Sequence, residues 1–297
     1  MTAPTTAGTP RPADPTTGPT PAGTPIGQNP YLSVDDLRAA VSACRLGPDP
    51  TATRVDVGFV TRQGARHAGR NRAYRNEVLS LRVGAAVGSC AVEPGELPDD
   101  VAYDCVGATV ADLLTHPLTP VRVAALDAYL MAARPHGESG AEPVVLSAGT
   151  SLAKSTARAA SVVDLLRVRP PTTVLVVGVV NSLLAALRGR GLRYLPCDRV
   201  GGVTEWGERC HSDPMPLLDA AGALLVSGMT VGNGTFQPLL EHARDTGKPL
   251  VVFAQTGSAV LPRFLGAGVT GVSAEPYPFF WLDGGPTTLH RYRTVPA

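Results

Sequence analysis

The sequence is poor in the residues that several function classes depend on. Aromatic residues make up 5% of its 297 positions, too few for the stacking platforms that hold single-stranded nucleic acid. Neither sign of charge is in excess. Lys and Arg total 26 against 25 Asp and Glu, a formal net charge of +1, so no global field draws a polyanion. There are two lysines, Lys154 and Lys248, and nothing around either marks the anchor of a covalent cofactor. The longest aliphatic stretch, 174–180, has Gly178 inside it. It falls far short of the roughly 20 apolar residues that cross a bilayer. No G-x-S-x-G elbow, H-E-x-x-H helix or Walker loop is present. The five cysteines, Cys44, Cys90, Cys105, Cys197 and Cys210, include no C-x-x-C pair. Residues 1–30 hold one basic residue, Arg11, and no apolar run, which is not a secretory pattern. The expectation is a cytoplasmic protein with free thiols, no membrane and no nucleic-acid partner, and with a homo-oligomer left open.

What the sequence does contain divides it in three. Residues 1–30 are mainly Thr, Pro, Ala and Gly, with too little to bury to offset their ordering entropy, and are expected to be disordered. From Ser33, an N-cap precedes the acidic first-turn residues Asp35 and Asp36, and Leu37, Val41 and Cys44 fall on one helical face before Gly47. Val55, Val57 and Phe59 alternate as in a strand, and Val78 and Val83 do so less cleanly. Helices are predicted over 109–116 and 120–134, the second with Pro120 at its first position. Residues 31–136 therefore read as a small α+β domain, and 136–143 as a linker.

Beyond the linker the pattern alternates. Helices are predicted at 152–167, 181–190, 235–245 and from about 258, between strands at 173–178, 192–197, 223–227, 250–254 and 269–273. Short Val-rich strands separated by helices make a parallel sheet covered on both faces. Residues 144–297 read as a Rossmann-like α/β domain, giving an α/β protein with a small α+β N-terminal domain.

In such a sheet, ligands sit beyond the strand carboxyl ends, near the topological switch point. The first loop there, with Gly178 and Asn181, lacks the other glycines of a dinucleotide fingerprint, which argues against NAD(P) or FAD. Asp198, about twenty residues on, stands where a carboxylate meets ribose hydroxyls. That suits an adenosyl ligand such as S-adenosylmethionine, and equally a solvated loop. In 227–235, Gly228, Gly232 and Gly234 allow unusual backbone angles, and Ser227, Thr230, Asn233 and Thr235 supply donors. Thr235 is expected to cap the next helix and leave its amides to an anion, or else the glycines serve a tight crossover. Gln255 and Ser258 belong to the fourth loop.

Two further clusters carry chemistry. Cys197, with the thiol–imidazole neighbours Cys210 and His211, is a candidate soft-metal site, although the spacing matches no zinc finger. Arg66, Arg70, Arg72 and Arg75, in a cationic run that also holds Arg62, His67 and Arg82, are candidates for gripping a carboxylate or phosphate. A solvated strand face is the alternative.

The stretch Leu224-Leu225-Val226-Ser227-Gly228-Met229-Thr230-Val231-Gly232-Asn233-Gly234-Thr235 resembles a heavy-metal chelation domain family of bacterial and archaeal proteins, whose function is unresolved. The shared element is S-G-x4-N-G-T ahead of a Leu-rich helix, here Phe236-Gln237-Pro238-Leu239-Leu240, followed by the strand Leu250-Val251-Val252-Phe253-Ala254. The resemblance implies a Rossmann-like domain paired with an enolase-N-terminal-like domain. Asp112-Leu113-Leu114 and Arg122-Val123-Ala124-Ala125-Leu126-Asp127-Ala128 look like the closing helices of the latter. It implies a role for the 227–235 loop and transfers no ligand set. The Thr/Pro tail, the arginine run and Pro276-Tyr277-Pro278-Phe279-Phe280-Trp281 depart from the family pattern, the last as a lid or a subunit contact.

Three functions compete. The leading expectation is a two-domain protein that binds a small polar ligand or metal chelate at the strand carboxyl ends, in metal, cofactor or specialised metabolism. Its rival is an S-adenosylmethionine-dependent enzyme for a small acidic substrate, and the third reading is a scaffold whose tail docks a partner.

Overall fold

The computed structural model describes residues 31–66 and 73–294, together with Ile26. The expectations for the rest of the tail, and for Arg70 and Arg72, lie outside the described residues.

The N-terminal unit begins with α1 (Val34–Ser42), where Ser33 Oγ accepts the Asp36 N–H at 3.0 Å as the sequence implies. The strands β1 (Val57–Arg66), β2 (Ala73–Val83) and β3 (Ala86–Val92) form an antiparallel sheet in that order. Two single-turn helices follow, α2 (Val101–Asp104) and α3 (Val110–Leu113), the second opened by a reciprocal Thr109–Asp112 capping box. Then α4 (Thr119–Ala133) lies across the sheet, buried over most of its circumference. It comes so close that a Cβ on Gly88 would stand 1.9 Å from the Ala128 nitrogen. Glycine is required there by the approach of helix backbone to strand.

The larger unit consists of β4 (Glu142–Leu146), α5 (Ser151–Asp164), β5 (Thr173–Val177), α6 (Asn181–Gly189), β6 (Arg193–Cys197), β7 (Ala223–Ser227), α7 (Met229–Gly232), α8 (Phe236–Thr246), β8 (Leu250–Ala254), β9 (Val269–Ala274) and β10 (Thr287–Arg293). The sheet order is β4-β10-β9-β8-β7-β5-β6. The five strands β6, β5, β7, β8 and β9 are parallel, and β10 runs antiparallel to both β9 and β4. The sheet is therefore mixed, with the expected parallel part extended by an antiparallel edge. Part of the predicted linker is β4. The helix expected from 258 shrinks to a 3-10 turn, Leu261–Phe264, with Pro262 in its first turn.

The strands form because both of their faces are buried. Along β5, Val174 and Val176 join one hydrophobic cluster with α5 and α6, while Leu175 and Val177 join the other. That second cluster runs without a break from Leu37, Leu81 and Ala124 in the N-terminal unit to Val226, Val252 and Phe264 under the large sheet. Among the described residues, no helix is long and apolar enough to cross a membrane.

Candidate functional site

The chain leaves β5 for β6 on one side and returns to β7 on the other, so the topological switch lies at the carboxyl ends of β5 and β7. Gly178, directly after β5, has φ 88°, and a Cβ there would stand 2.6 Å from Ser227 Cβ at the end of β7. Above this point lies a cavity of ≈ 240 Å³. Its floor is Gly178, Val179, Ser227, Gly228, Phe253 and Gln255. Its roof comes from the other unit, with Tyr74, Arg75 and Asn76 of β2 and Glu93 just after β3. Phe280 and Trp281, in the β9–β10 connection, close the side where α5 presents Ser155 and Arg158.

Specific bonds hold these walls together. The Ala91 N–H donates to Thr256 Oγ1 at 2.8 Å, the Gly257 N–H to the Ser89 carbonyl at 3.0 Å, and the Asn181 N–H to the Tyr74 hydroxyl at 3.1 Å. The β9–β10 connection is pinned at both ends by α5. Arg158 donates twice to Glu275, and the Lys154 ammonium donates to the carbonyls of Asp283 and Gly285 and to Thr287 Oγ1. Between those ends, Trp281 Nε1 donates to Gln63 Oε1 at 2.6 Å and Tyr277 meets Phe59 edge-on at 5.1 Å. The Pro276–Trp281 stretch thus packs against the N-terminal unit of its own chain.

Four charged residues line the cavity: Arg75, Arg158, Glu93 and Asp198. The Asp198 carboxylate accepts the Val179 N–H at 3.0 Å and the Val200 N–H at 3.2 Å. Burial pushes the Glu93 carboxyl above its ordinary value, helped by the charges of Asp198 and Glu96 and opposed by Arg199.

The predicted residues separate. Gly178, Asp198, Ser227, Gly228, Gln255 and Arg75 meet in the cavity. Asn181 is buried behind it with Oδ1 accepting the Glu205 N–H, and Thr230 is buried with its hydroxyl on the Ser227 carbonyl. Ser258 is buried beside His136 at 3.5 Å, in the seam between the units. The second half of the 227–235 loop turns away through α7. Asn233 Oδ1 accepts both the N–H and the hydroxyl of Thr235, Thr235 makes no side-chain cap on α8, and Gly234 lines a different groove beside Ser33 and Arg38. Arg66 is exposed at the end of β1, opposite Ala73.

The expected metal trio does not converge. Residues 209–211 run beside β6, with the His211 N–H on the Pro196 carbonyl and the Asp198 N–H on the His211 carbonyl. Neighbouring side chains on such a strand point to opposite faces, so Cys210 is buried while His211 is exposed. Cys197 belongs to the other hydrophobic cluster, and burial pushes its thiol up to about 12. Among the described residues no three His, Cys, Asp or Glu side chains form a metal-binding group.

Sequence reasoning missed Tyr74, Glu93 and Arg158, and it singled out Phe280 and Trp281 only as part of a lid or subunit contact. For the three that were missed, the usable signal was Arg158 on a small-residue stretch of α5, where it is buried.

No protein-family model matches the chain, and neither does any curated protein. Its fold is similar to the crystal structure of a DUF364-family protein of unknown function from Desulfitobacterium hafniense DCB-2. That match has a TM-score of 0.56 at 14% identity, over 88% of this chain and 96% of the other. A DUF364-family protein of unknown function from Pyrococcus horikoshii aligns with a TM-score of 0.51 at 12% identity, over 87% and 98% respectively. At these identities the likeness is one of fold.

Proposed function

We propose that this protein binds a small polar ligand in the cavity between its two units, at the carboxyl ends of β5 and β7. The observation that carries the reading is the convergence there of polar and charged side chains from the N-terminal sheet, the large sheet, α5 and the β9–β10 connection. A few convergent polar groups among apolar walls, at a switch point, characterise small-molecule sites. The volume of ≈ 240 Å³ favours a metabolite over a peptide. A metal would enter as a chelate that brings its own ligands. The described cysteines are all free, in keeping with a reducing, cytoplasmic setting.

The test is native mass spectrometry of protein purified without additives, compared with Gln255→Trp, whose indole fills the cavity. Excess mass on the wild type that is absent from the variant is the expected result. Equal occupancy in both overturns the assignment.

A second reading rests on Asp198, which directly follows β6 and lines the same cavity. It is the residue that would meet the ribose of S-adenosylmethionine, with Arg75 toward an acidic co-substrate. Both Asp198 oxygens already accept backbone N–H groups, so its position has a purely structural cause as well. A thermal shift with S-adenosylmethionine that Asp198→Ala removes would support an enzyme, and no shift in the wild type would eliminate this reading.

A further inference from the structure

The charges around the cavity are unevenly partnered, and the pattern selects a class of ligand. At one end stands Arg158, with its side chain only 5% exposed. Nε and Nη2 donate to Glu275 Oε1 and Oε2 at 2.8 and 3.1 Å. The guanidinium carbon lies 4.8 Å from the centroid of the Phe253 ring and 5.6 Å from that of Phe280. Among the described residues Nη1 meets no acceptor, and Arg158 lines the cavity. Nη1 is not among the fully buried atoms that lack a partner, so this edge opens into the cavity, where a ligand oxygen can accept from it as a charge-assisted hydrogen bond.

The other end is acidic. Glu93 and Asp198 both line the cavity, while the nearby Arg199 is engaged with Glu96 at 2.9 Å. The Glu93 carboxylate accepts no hydrogen bond among the described residues, and both Asp198 oxygens retain a free lone pair. This corner needs donors and a positive charge. It lies just beyond β6, whereas Phe253, under Arg158, belongs to β8. The strands β5 and β7 lie between, so the strand backbones are roughly 14 Å apart, three strand spacings. Side chains reach inward from both sides. Phe253, Phe280 and Trp281 supply flat apolar walls.

Resting on the cavity reading above, we propose that the ligand class is a small zwitterionic amino carboxylate with a planar body. Its carboxylate takes the free edge of Arg158, its ammonium group sits between Glu93 and Asp198, and its body lies against Phe280 and Trp281. A dianion would set a second negative group against the acidic corner, with the exposed Arg75 as the one other cation of the lining to meet it.

Calorimetric titration of the full chain with 4-(aminomethyl)benzoate, benzoate and benzylamine tests this directly. The bipolar probe is expected to bind about tenfold or more tightly than either single-charge analogue, the value of one charge-assisted hydrogen bond. Glu93→Gln should erase the preference over benzoate. The paired change Arg158→Gln with Glu275→Gln keeps a hydrogen-bonded pair in the core and should erase the preference over benzylamine. Equal binding by either analogue, or no binding by the bipolar probe, overturns the proposal. If Gln255→Trp then still expels a co-purifying molecule of other charge, the cavity reading stands and only the zwitterionic assignment falls. If Gln255→Trp changes no occupancy, the cavity reading falls with it.

Discussion

Asp127, on α4, accepts the backbone N–H of Ala259 at 2.7 Å from across the boundary between the two units. Its second oxygen takes the Ser89 N–H at 2.9 Å, so one carboxylate joins α4, β3 and the turn after β8. Burial pushes this carboxyl up to about 7, against the opposing pull of the backbone donors. Asp127→Ala should cost about 3 kcal/mol in urea unfolding, since two buried N–H groups lose their acceptor. Asp127→Asn should rescue little, because its NH₂ would confront one of those donors. An asparagine variant as stable as the wild type would refute this account.

His136 makes the seam sensitive to acid. Its Nδ1 shares a hydrogen bond with the Tyr292 hydroxyl at 2.7 Å, and its ring stacks on His290 at 4.9 Å. Burial, followed by the neighbouring His290 and Arg263, holds its pKa down at about 3 against an ordinary 6.5. A depressed folded-state value means the fold requires the neutral ring. The stability it contributes is present above pH 6.5 and is lost as the pH falls towards 3. Burial shifts His290 in the same direction. Asp127 has the opposite sign, with stability present below 3.8 and lost as the pH rises through 7. Tm measured between pH 7 and 4 should therefore fall less steeply in His136→Gln than in the wild type. Parallel curves would remove His136 from the acid response.

Gly88 and Gly64 form a matched pair of controls. A Cβ on Gly88 meets the backbone of Ala128 at 1.9 Å and of Ala124 at 2.5 Å, whereas one on Gly64 meets nothing within 4 Å. Gly88→Ala should cost about 3 kcal/mol or more, because helix backbone cannot yield like a side chain. Gly64→Ala should stay within about 0.5 kcal/mol of the wild type. Thermal unfolding of the two variants decides it.

Lys154 is 2% exposed and clamps the connection that carries Trp281. Lys154→Met leaves the Asp283 and Gly285 carbonyls without this donor and should cost about 2 kcal/mol or more. The emission of Trp281, read in a Trp206→Phe background, should shift to the red while far-ultraviolet circular dichroism is unchanged. An unmoved spectrum would show that the clamp does not set the position of Trp281.

Local signals were readable wherever one segment satisfies its own physics. Ser33 caps α1, α4 opens one residue earlier than expected with Leu118 as its N-cap and Pro120 in its first turn, and β5, β7, β8 and β9 are apolar enough to be buried on both faces. Thr287–Arg293 mixes Thr, His and Arg with Leu and Tyr, and becomes a strand only because β4 lies more than 140 residues earlier and β9 offers an edge. The paired glycines and hydroxyls of 227–235 suggested one binding loop. The turn at α7 separates Ser227 and Gly228 from Asn233–Thr235, and a one-dimensional pattern does not record that turn.

By itself, the sequence determined the α/β class and the order of most elements, because periodicity and capping are local and hydrophobic burial is written in composition. Only the tertiary structure decided which groups face one another. Arg158 meets Glu275 across 117 residues and Trp281 meets Gln63 across 218. Such pairings depend on chain crossings, whose energies are shared over the whole core and leave no mark at any single position.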